Sequence, residues 1–97
     1  MNIKPPQIKK LKALAHHLKP IVSIGKEGLN EGVINSISES LEKNELIKIK
    51  FSKNKELKEK LSKDIVNSTQ STAISIIGNT LIIYKKSQNP KNCQIKI

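Results

Sequence analysis

The sequence predicts a small α/β (α+β) domain with two layers, in which helices pack on one face of a mixed four-stranded sheet. Apolar residues recur with helical spacing in three stretches, and with strand-type spacing or composition in four others, which gives the element order αβαβαββ. With 97 residues, the chain is long enough to bury one modest core and too short for two. We therefore expect a single domain.

The first three elements are a helix, a strand and a glycine loop. The helix is predicted from Pro6 to Leu18 and ends before Pro20, a residue that cannot continue a helix. Its apolar stripe has three- and four-residue spacing and consists of Ile8, Leu11, Ala15 and Leu18. A β-branched run over 21–24 predicts a short strand, and a loop over 25–28 with a glycine at each end follows it.

A second helix and a second strand come next. Asn30 is a suitable N-terminal cap, and an apolar stripe extends from there to about Asn44. The stretch 46–51 alternates between apolar residues and the lysines Lys48 and Lys50, which predicts a strand that is buried on one face only. Because the other face is basic, we expect it to stay largely uncovered, and this favours two layers over a doubly wound fold.

The remaining elements are a third helix and a hairpin. The helix is predicted over about 54–67, and two β-branched runs over 72–77 and 80–84 are joined by a Gly-Asn turn. Two successive strand–helix–strand steps predict right-handed crossovers between parallel neighbours. The polar stretch 87–97 predicts a flexible C-terminal tail, so the folded domain is expected to cover residues 1–86.

The charge balance favours a polyanionic partner. The chain has 18 basic and 8 acidic residues, for a net charge of +10, and every basic residue is a lysine. The absence of arginine beside abundant isoleucine and asparagine is typical of AT-rich codon usage, which accounts for part of the lysine excess. Lysine binds phosphate as a point charge, whereas arginine forms planar pairs with phosphate and guanine. Contacts with a nucleic-acid backbone are therefore favoured over recognition of bases.

The sequence also predicts a cytoplasmic protein with no membrane partner. Cys93 is the only cysteine, so we expect neither a disulfide nor a cysteine zinc site. No apolar run approaches the roughly 20 residues that span a bilayer, and the first six residues lack the apolar core of a signal peptide.

The segment with the strongest functional signal is the loop Gly25, Lys26, Glu27 and Gly28. Its glycines let the backbone approach a ligand closely, and the N-terminus of the following helix favours phosphate at the same place. A GxxG loop of this form clamps the sugar-phosphate backbone in KH-type RNA-binding modules. Further lysines predicted on nearby surfaces are Lys19, Lys48 and Lys50. From these residues alone, an ordinary strand-to-helix turn explains the loop equally well.

No pattern in the chain predicts catalysis or metal binding. His16 and His17 are interpreted as interacting with the carbonyls that end the first helix, because no acid or cysteine accompanies them. There is no glycine-flanked serine and no pair of catalytic carboxylates. Phe51 is expected to point inward and Tyr84 stands alone, so no aromatic stacking platform is predicted. We expect no enzyme activity, no small-molecule substrate, no cofactor and no metal.

One combination of motifs resembles a known family. It joins a His-Leu-Lys-Pro corner, the GxxG loop and a glycine-turned final hairpin. The matching residues are Leu11, Ala15, His16, Leu18, Lys19, Pro20, Val22, Gly25, Gly28, Leu29, Gly32, Val33, Leu41, Glu45, Leu46, Ile47, Lys48, Ile77, Gly78, Thr80, Leu81 and Tyr84. Over about residues 7–86 the chain resembles the bacterial YhbY proteins, which are single-domain members of the CRM group, named for chloroplast RNA splicing and ribosome maturation.

The resemblance implies a two-layer α/β domain similar to the C-terminal domain of bacterial translation initiation factor three. It also implies RNA binding and association with precursors of the large ribosomal subunit. The family's RNA-contacting loop falls on 25–28, and its basic first helix falls on Lys9, Lys10 and Lys12. Lys85, which we also predict to contact RNA, departs from the family pattern because it replaces an arginine that commonly follows the last-strand tyrosine. Glu27 is a second departure, because it adds a negative charge inside the loop.

These observations lead to three hypotheses about function. The first is an assembly factor that binds precursor ribosomal RNA, within a pre-ribosomal particle, through the GxxG loop and a basic surface. The second is a general RNA chaperone, or a module that binds an intron or messenger RNA. The third is a protein-interaction domain that uses the acidic second helix, for which binding would be nearly insensitive to salt.

Overall fold

The helices and strands follow one another in the predicted order αβαβαββ. The structure, a computed structural model, describes residues 3–53, 55–88 and 91. Its helices are α1 (Pro5–Ala15), α2 (Glu31–Asn44) and α3 (Lys58–Thr69), and its strands are β1 (Val22–Ile24), β2 (Leu46–Phe51), β3 (Thr72–Ile77) and β4 (Thr80–Tyr84). A single 3-10 turn over Lys55–Leu57 precedes α3. The predicted start of the third helix at Asn54 lies outside the described residues.

The four strands form a mixed sheet in the order β1-β2-β4-β3. Strand β1 pairs in parallel with β2, as predicted, with Ile24 opposite Phe51. The prediction that β2 and β3 are also neighbours is wrong, because β4 lies between them and is antiparallel to both. Residues 81–84 form a continuous apolar run, which is stable only where both faces of the sheet are covered. The central position of β4 provides that cover, and all residues from Leu81 to Tyr84 are buried.

The two edges of the sheet are short or irregular. Strand β1 at one edge has three residues. At the other edge, the pairing of β3 with β4 shifts register between Ala73 and Ser75, which is a β-bulge. The last residue of β3, Ile77, is 61% exposed.

The larger core lies between one face of the sheet and helices α2 and α3. It contains the predicted inward residues of β2 and the buried stripes of both helices, and its members are Ile24, Ile37, Leu41, Ile47, Ile49, Phe51, Ile65, Leu81 and Ile83. This side of the domain has the two layers that the sequence predicts.

A smaller second core lies on the opposite face, under α1. Its members are Leu11, Ala15, Leu46, Ile74, Ile82 and Tyr84, with Ile3 and Ile8 packed against them. Helix α1 therefore adds a partial third layer over the end of the sheet where β2 begins and β4 ends. We call this side the α1 face; the part of it near Lys50, at the other end of β2, is the part that stays open.

Helix α1 ends at Ala15, earlier than the predicted end at Leu18. The chain must turn here to reach the edge of the sheet, and the Leu18 amide donates to the Ala15 carbonyl oxygen at 2.9 Å. Leu18 is 39% exposed, so its predicted place in the buried stripe is wrong. The connection is tied to β2 because Lys48 Nζ donates to the Leu18 carbonyl and the Ile21 amide donates to the Lys48 carbonyl, each at 3.0 Å.

The chain that follows β4 is fastened to the end of α2. Glu45 is 1% exposed, and its Oε2 accepts a hydrogen bond from the Ser87 amide at 2.8 Å. Glu42 Oε1 accepts bonds from Ser87 Oγ at 2.6 Å and from the Gln88 amide at 3.1 Å. Ser87 and Gln88, the first two residues of the predicted tail, are therefore hydrogen-bonded to the rest of the domain. Most of the predicted tail, including Cys93, lies outside the described residues.

Candidate nucleic-acid interface

The loop over 25–28 is a tight turn that exposes its two central side chains. The Gly28 amide donates to the Gly25 carbonyl oxygen at 3.0 Å, and Gly28 has a φ angle of 69°, in the left-handed region that favours glycine. Lys26 and Glu27 are exposed at the tip, and both glycines are half-buried. The backbone conformation of the turn therefore favours glycine at position 28. It does not favour glycine at Gly25, whose φ lies outside the left-handed region.

The base of the loop is held by the end of β2. The Ile24 carbonyl oxygen accepts hydrogen bonds from the Ser52 amide at 3.0 Å, from Ser52 Oγ at 3.1 Å and from the Lys53 amide at 3.3 Å. The Phe51 amide donates to the Asn79 carbonyl at 2.8 Å, which brings the turn of the hairpin to the same end of the sheet. These hydrogen bonds fix the base of the loop to the sheet, and a preorganised binding element requires such fixed positions.

Helix α2 begins at Glu31, shortly after the loop, and side chains of the protein already interact with the amides of its first turn. Asn30 Oδ1 accepts the Val33 amide at 2.9 Å, which confirms the predicted cap. Glu31 also places a carboxylate in the first turn. Both features compete with a phosphate for the positive end of the helix. The helix N-terminus alone is therefore a weak phosphate site, and the side chains around the loop matter more.

Beside the loop, one row of side chains crosses all four strands on the α1 face. The pairing places Ser23 beside Lys50, Lys50 opposite Thr80, and Thr80 opposite Ile77. Paired residues point to the same face, and Ile49 and Phe51 on either side of Lys50 point into the larger core. We call these four residues the exposed row; Thr80 is half-buried and the other three are exposed. Lys50 lies one strand away from the base of the loop.

A cleft of about 240 Å³ separates the end of α1 from this part of the sheet. Its lining residues come from α1, the connection after it and three strands, and they are Lys12, His16, Pro20, Lys48, Ile77, Thr80 and Ile82. We call it the α1–sheet cleft. Its only ionisable side chains belong to Lys12, His16 and Lys48, so it is basic and has no carboxylate in its lining.

His16 is the lining residue whose place the sequence did not predict. Its backbone does cap α1, because its amide donates to the Lys12 carbonyl at 3.1 Å. His16 also lines the cleft, and because it is four residues after Lys12 the two lie on the same flank of α1. The His17 ring contacts the His16 ring edge-on, with 5.5 Å between centroids, but does not line the cleft.

Most of the predicted lysines converge on this end of the molecule. Lys26 is on the loop, Lys50 is in the exposed row, and Lys48 and Lys12 line the cleft. The spacing of α1 puts Lys9 on the same flank as Lys12 and His16, and puts Lys10 about 100° away around the helix. Lys19 is exposed in the connection, next to Pro20 of the cleft.

Lys85 lies elsewhere. It follows Tyr84, which pairs with Leu46 and Thr72 at the end of the sheet opposite to the loop. Its Nζ donates to the Thr69 carbonyl at the end of α3 at 3.0 Å, and the side chain is half-buried. Its contacts therefore serve the packing of α3 against the sheet.

A cleft larger than the α1–sheet cleft is on the other side of the domain. It has a volume of about 500 Å³ between α3 and β3, and its lining includes Glu59, Lys63, Val66 and Ile76. One carboxylate and one ammonium group line it, so it lacks the uniform positive charge of the α1–sheet cleft. Volume alone therefore does not identify the polyanion site.

Residues 3–53, 55–88 and 91 contain no group of three or more His, Cys, Asp or Glu side chains placed to hold a metal ion. In the same part of the chain, no helix has the length and apolar character needed to cross a membrane.

Comparison with known proteins gives a consistent set of relatives. The model of the CRS1 / YhbY (CRM) domain family matches residues 3–85. The chain is 38% identical over 86 residues to "Probable RNA-binding protein YqeI" of Bacillus subtilis, covering 88% of this chain and 90% of that protein. It is 40% identical over 82 residues to a Haemophilus influenzae protein named "RNA-binding protein", covering 84% and 83% of the two chains. The solution structure of SAV1595 from Staphylococcus aureus superposes with a TM-score of 0.79 at 33% identity, over 98% of this chain and all of that one.

Proposed function

The chain belongs to the CRS1/YhbY (CRM) domain family, and from that premise we propose that it is an RNA-binding protein without catalytic activity. The proposed interface is the loop over 25–28 together with the neighbouring basic part of the α1 face. The observation that carries this proposal is the convergence of four lysines from three different segments, α1, the loop and β2, at one end of the sheet. They are Lys12, Lys26, Lys48 and Lys50.

The chemistry of this surface suits the RNA backbone. Each ammonium group offers three donors and a positive charge, and Lys48 uses only one of its donors in its bond to the Leu18 carbonyl. At the loop, Gly25 has no side chain, and an added Cβ would meet no heavy atom within 4 Å. A phosphodiester can therefore approach the loop backbone there, while Lys26 at the tip supplies charge. Lys85 is omitted from the interface because its ammonium group contacts Thr69.

A salt titration tests RNA binding itself. Four lysine contacts that displace counterions give a slope of roughly −3 in a plot of log affinity against log salt concentration. The measurement is fluorescence anisotropy of a labelled structured RNA at several potassium chloride concentrations. An RNA affinity that does not change with salt would refute electrostatic backbone binding, and an absence of RNA binding would favour the hypothesis of a protein-interaction domain.

We further propose that the RNA is a precursor of large-subunit ribosomal RNA and that the protein acts in ribosome assembly. The resemblance to the YhbY proteins supports this, whereas the names of the relatives state RNA binding alone. The second candidate is a general RNA chaperone or an intron- or messenger-binding module. Sedimentation of cell extract distinguishes the two. Assembly work predicts enrichment with large-subunit precursors, and ribonuclease treatment should move the protein to the light fractions. A distribution that follows total RNA would favour the second candidate.

A further inference from the structure

We propose that the α1–sheet cleft holds one unpaired nucleotide of the bound RNA, with its base against His16. This rests on the proposed RNA binding and adds a specific element to it. Backbone contacts at the loop do not distinguish paired from unpaired RNA, whereas a cleft for a base does. The protein would then select RNA that has an unpaired nucleotide beside a helical segment.

The lining of the cleft has the composition that a nucleobase requires. Its apolar lining residues include Ile82, which is 1% exposed, and Ile77, which is 61% exposed. Pro20 and His16 add residue types with flat or apolar surfaces. Histidine is one of the side chains on which unpaired RNA bases stack. Thr80 adds a neutral hydroxyl that can hydrogen-bond to a base edge.

The size of the cleft matches a single base. A cavity of about 150 Å³ accommodates a benzene molecule, whereas sites for drug-sized ligands have volumes of about 300–1,000 Å³. The α1–sheet cleft, at about 240 Å³, lies between these values. One heterocyclic ring system fits, with the sugar and phosphate left outside.

Charge complementarity identifies the occupant as part of a nucleic acid. Lys12 and Lys48 stand at the cleft, and no carboxylate lines it. They are placed to contact the phosphates on either side of an inserted nucleotide. Thr80 is shared between the cleft and the exposed row, and its neighbour in that row is Lys50. The row leads from the cleft through Lys50 to Ser23 and the base of the loop, which gives the RNA backbone a continuous path between the two sites.

The experiment compares two RNAs and two neighbouring histidines in the full chain. One RNA is a fully paired stem, and the other is the same stem with one bulged 2-aminopurine nucleotide. Affinity is measured by anisotropy and stacking by 2-aminopurine fluorescence, for the wild type, His16→Ala and His17→Ala. His17 is the matched control because it is the same residue type, is exposed and does not line the cleft.

The wild type should bind the bulged RNA about tenfold more tightly than the paired stem, and binding should change the fluorescence of 2-aminopurine. His16→Ala should lose that preference and that fluorescence change while keeping its affinity for the paired stem within twofold. His17→Ala should behave as the wild type. Both variants should melt within about 2 °C of the wild type, because these side chains are exposed.

Three results would overturn the inference. If the wild type binds both RNAs equally, the cleft holds no base, although RNA binding as proposed above stands. If His16→Ala and His17→Ala lose affinity equally on both RNAs, the histidines contribute only to a diffuse surface. If the wild type binds neither RNA, the proposed RNA-binding function fails together with the inference.

Discussion

Replacing Gly25 by alanine separates a phosphate clamp from a simple turn, because both interpretations predict a more stable fold but only the clamp predicts weaker RNA binding. In the unbound protein the added methyl group meets no heavy atom within 4 Å, and the φ of Gly25 lies outside the left-handed region. A Gly-to-Ala change at such a position stabilises a fold by about 0.4–1 kcal/mol, since the unfolded chain loses conformational freedom. For a domain of this size, we expect the melting temperature to rise by about 2–5 °C.

RNA affinity should move in the other direction. If a phosphodiester contacts the backbone at Gly25, the methyl group removes one charge-assisted hydrogen bond worth about 1.5–3 kcal/mol, or about 10- to 100-fold in affinity. Gly28→Val is the contrasting variant, because valine at a φ of 69° costs about 1–3 kcal/mol of stability as well as blocking the loop. Differential scanning calorimetry and anisotropy on the same samples give both quantities. A stable Gly25→Ala protein with wild-type affinity would refute the clamp.

Three other changes test the remaining assignments. Lys26→Glu should weaken RNA binding and lower the salt slope by about one, whereas Lys63→Glu on α3 should do neither to the same extent; equal losses would leave only diffuse electrostatics. Glu45→Ala should destabilise the fold by about 1–3 kcal/mol in denaturant titrations, because the buried Ser87 amide loses its acceptor, and Glu45→Gln should retain most of the stability. Lys85→Ala should lower stability by about 1 kcal/mol but reduce RNA affinity no more than Lys86→Ala, and a larger loss of affinity would return Lys85 to the interface.

The sequence predicts the elements of the fold better than their arrangement. Hydrophobic spacing depends on local chain geometry, so the three helices and four strands were predicted in the right order. The position of β4 between β2 and β3 depends on burial of both faces, and the run Leu81–Tyr84 carried that signal in its continuous apolar character. Helix α1 lies on the second face because its apolar residues pack with residues distant in sequence, and Leu11 and Tyr84 belong to the same buried cluster. The spacing of apolar residues within α1 cannot predict which face of the sheet it covers.

In the candidate site, too, local features could be predicted from the sequence and long-range contacts could not. The loop and Lys50 could be predicted because each belongs to a local pattern, a glycine pair or an alternating strand. His16 was missed as a lining residue because its setting is created by strands more than 30 residues away, at Lys48 and Thr80. The sequence did contain one signal that could have placed His16 beside the basic residues. Lys12 and His16 are four residues apart and therefore lie on the same flank of the helix. Lys85 is a different case, because the resemblance to the family predicts RNA contact there and in the structure its ammonium group donates to the Thr69 carbonyl.

The irregular edges of the sheet have a consequence for behaviour in concentrated solution. A long, regular edge strand with exposed isoleucines would offer another chain a template for pairing, which is how folded domains begin to aggregate. Here the bulge between Ala73 and Ser75 interrupts the hydrogen-bonding pattern of β3 just before Ile76 and Ile77, and β1 offers only three residues. Together with a net charge of +10, which makes identical molecules repel, these edges disfavour strand pairing between copies of the domain while Ile77 stays exposed.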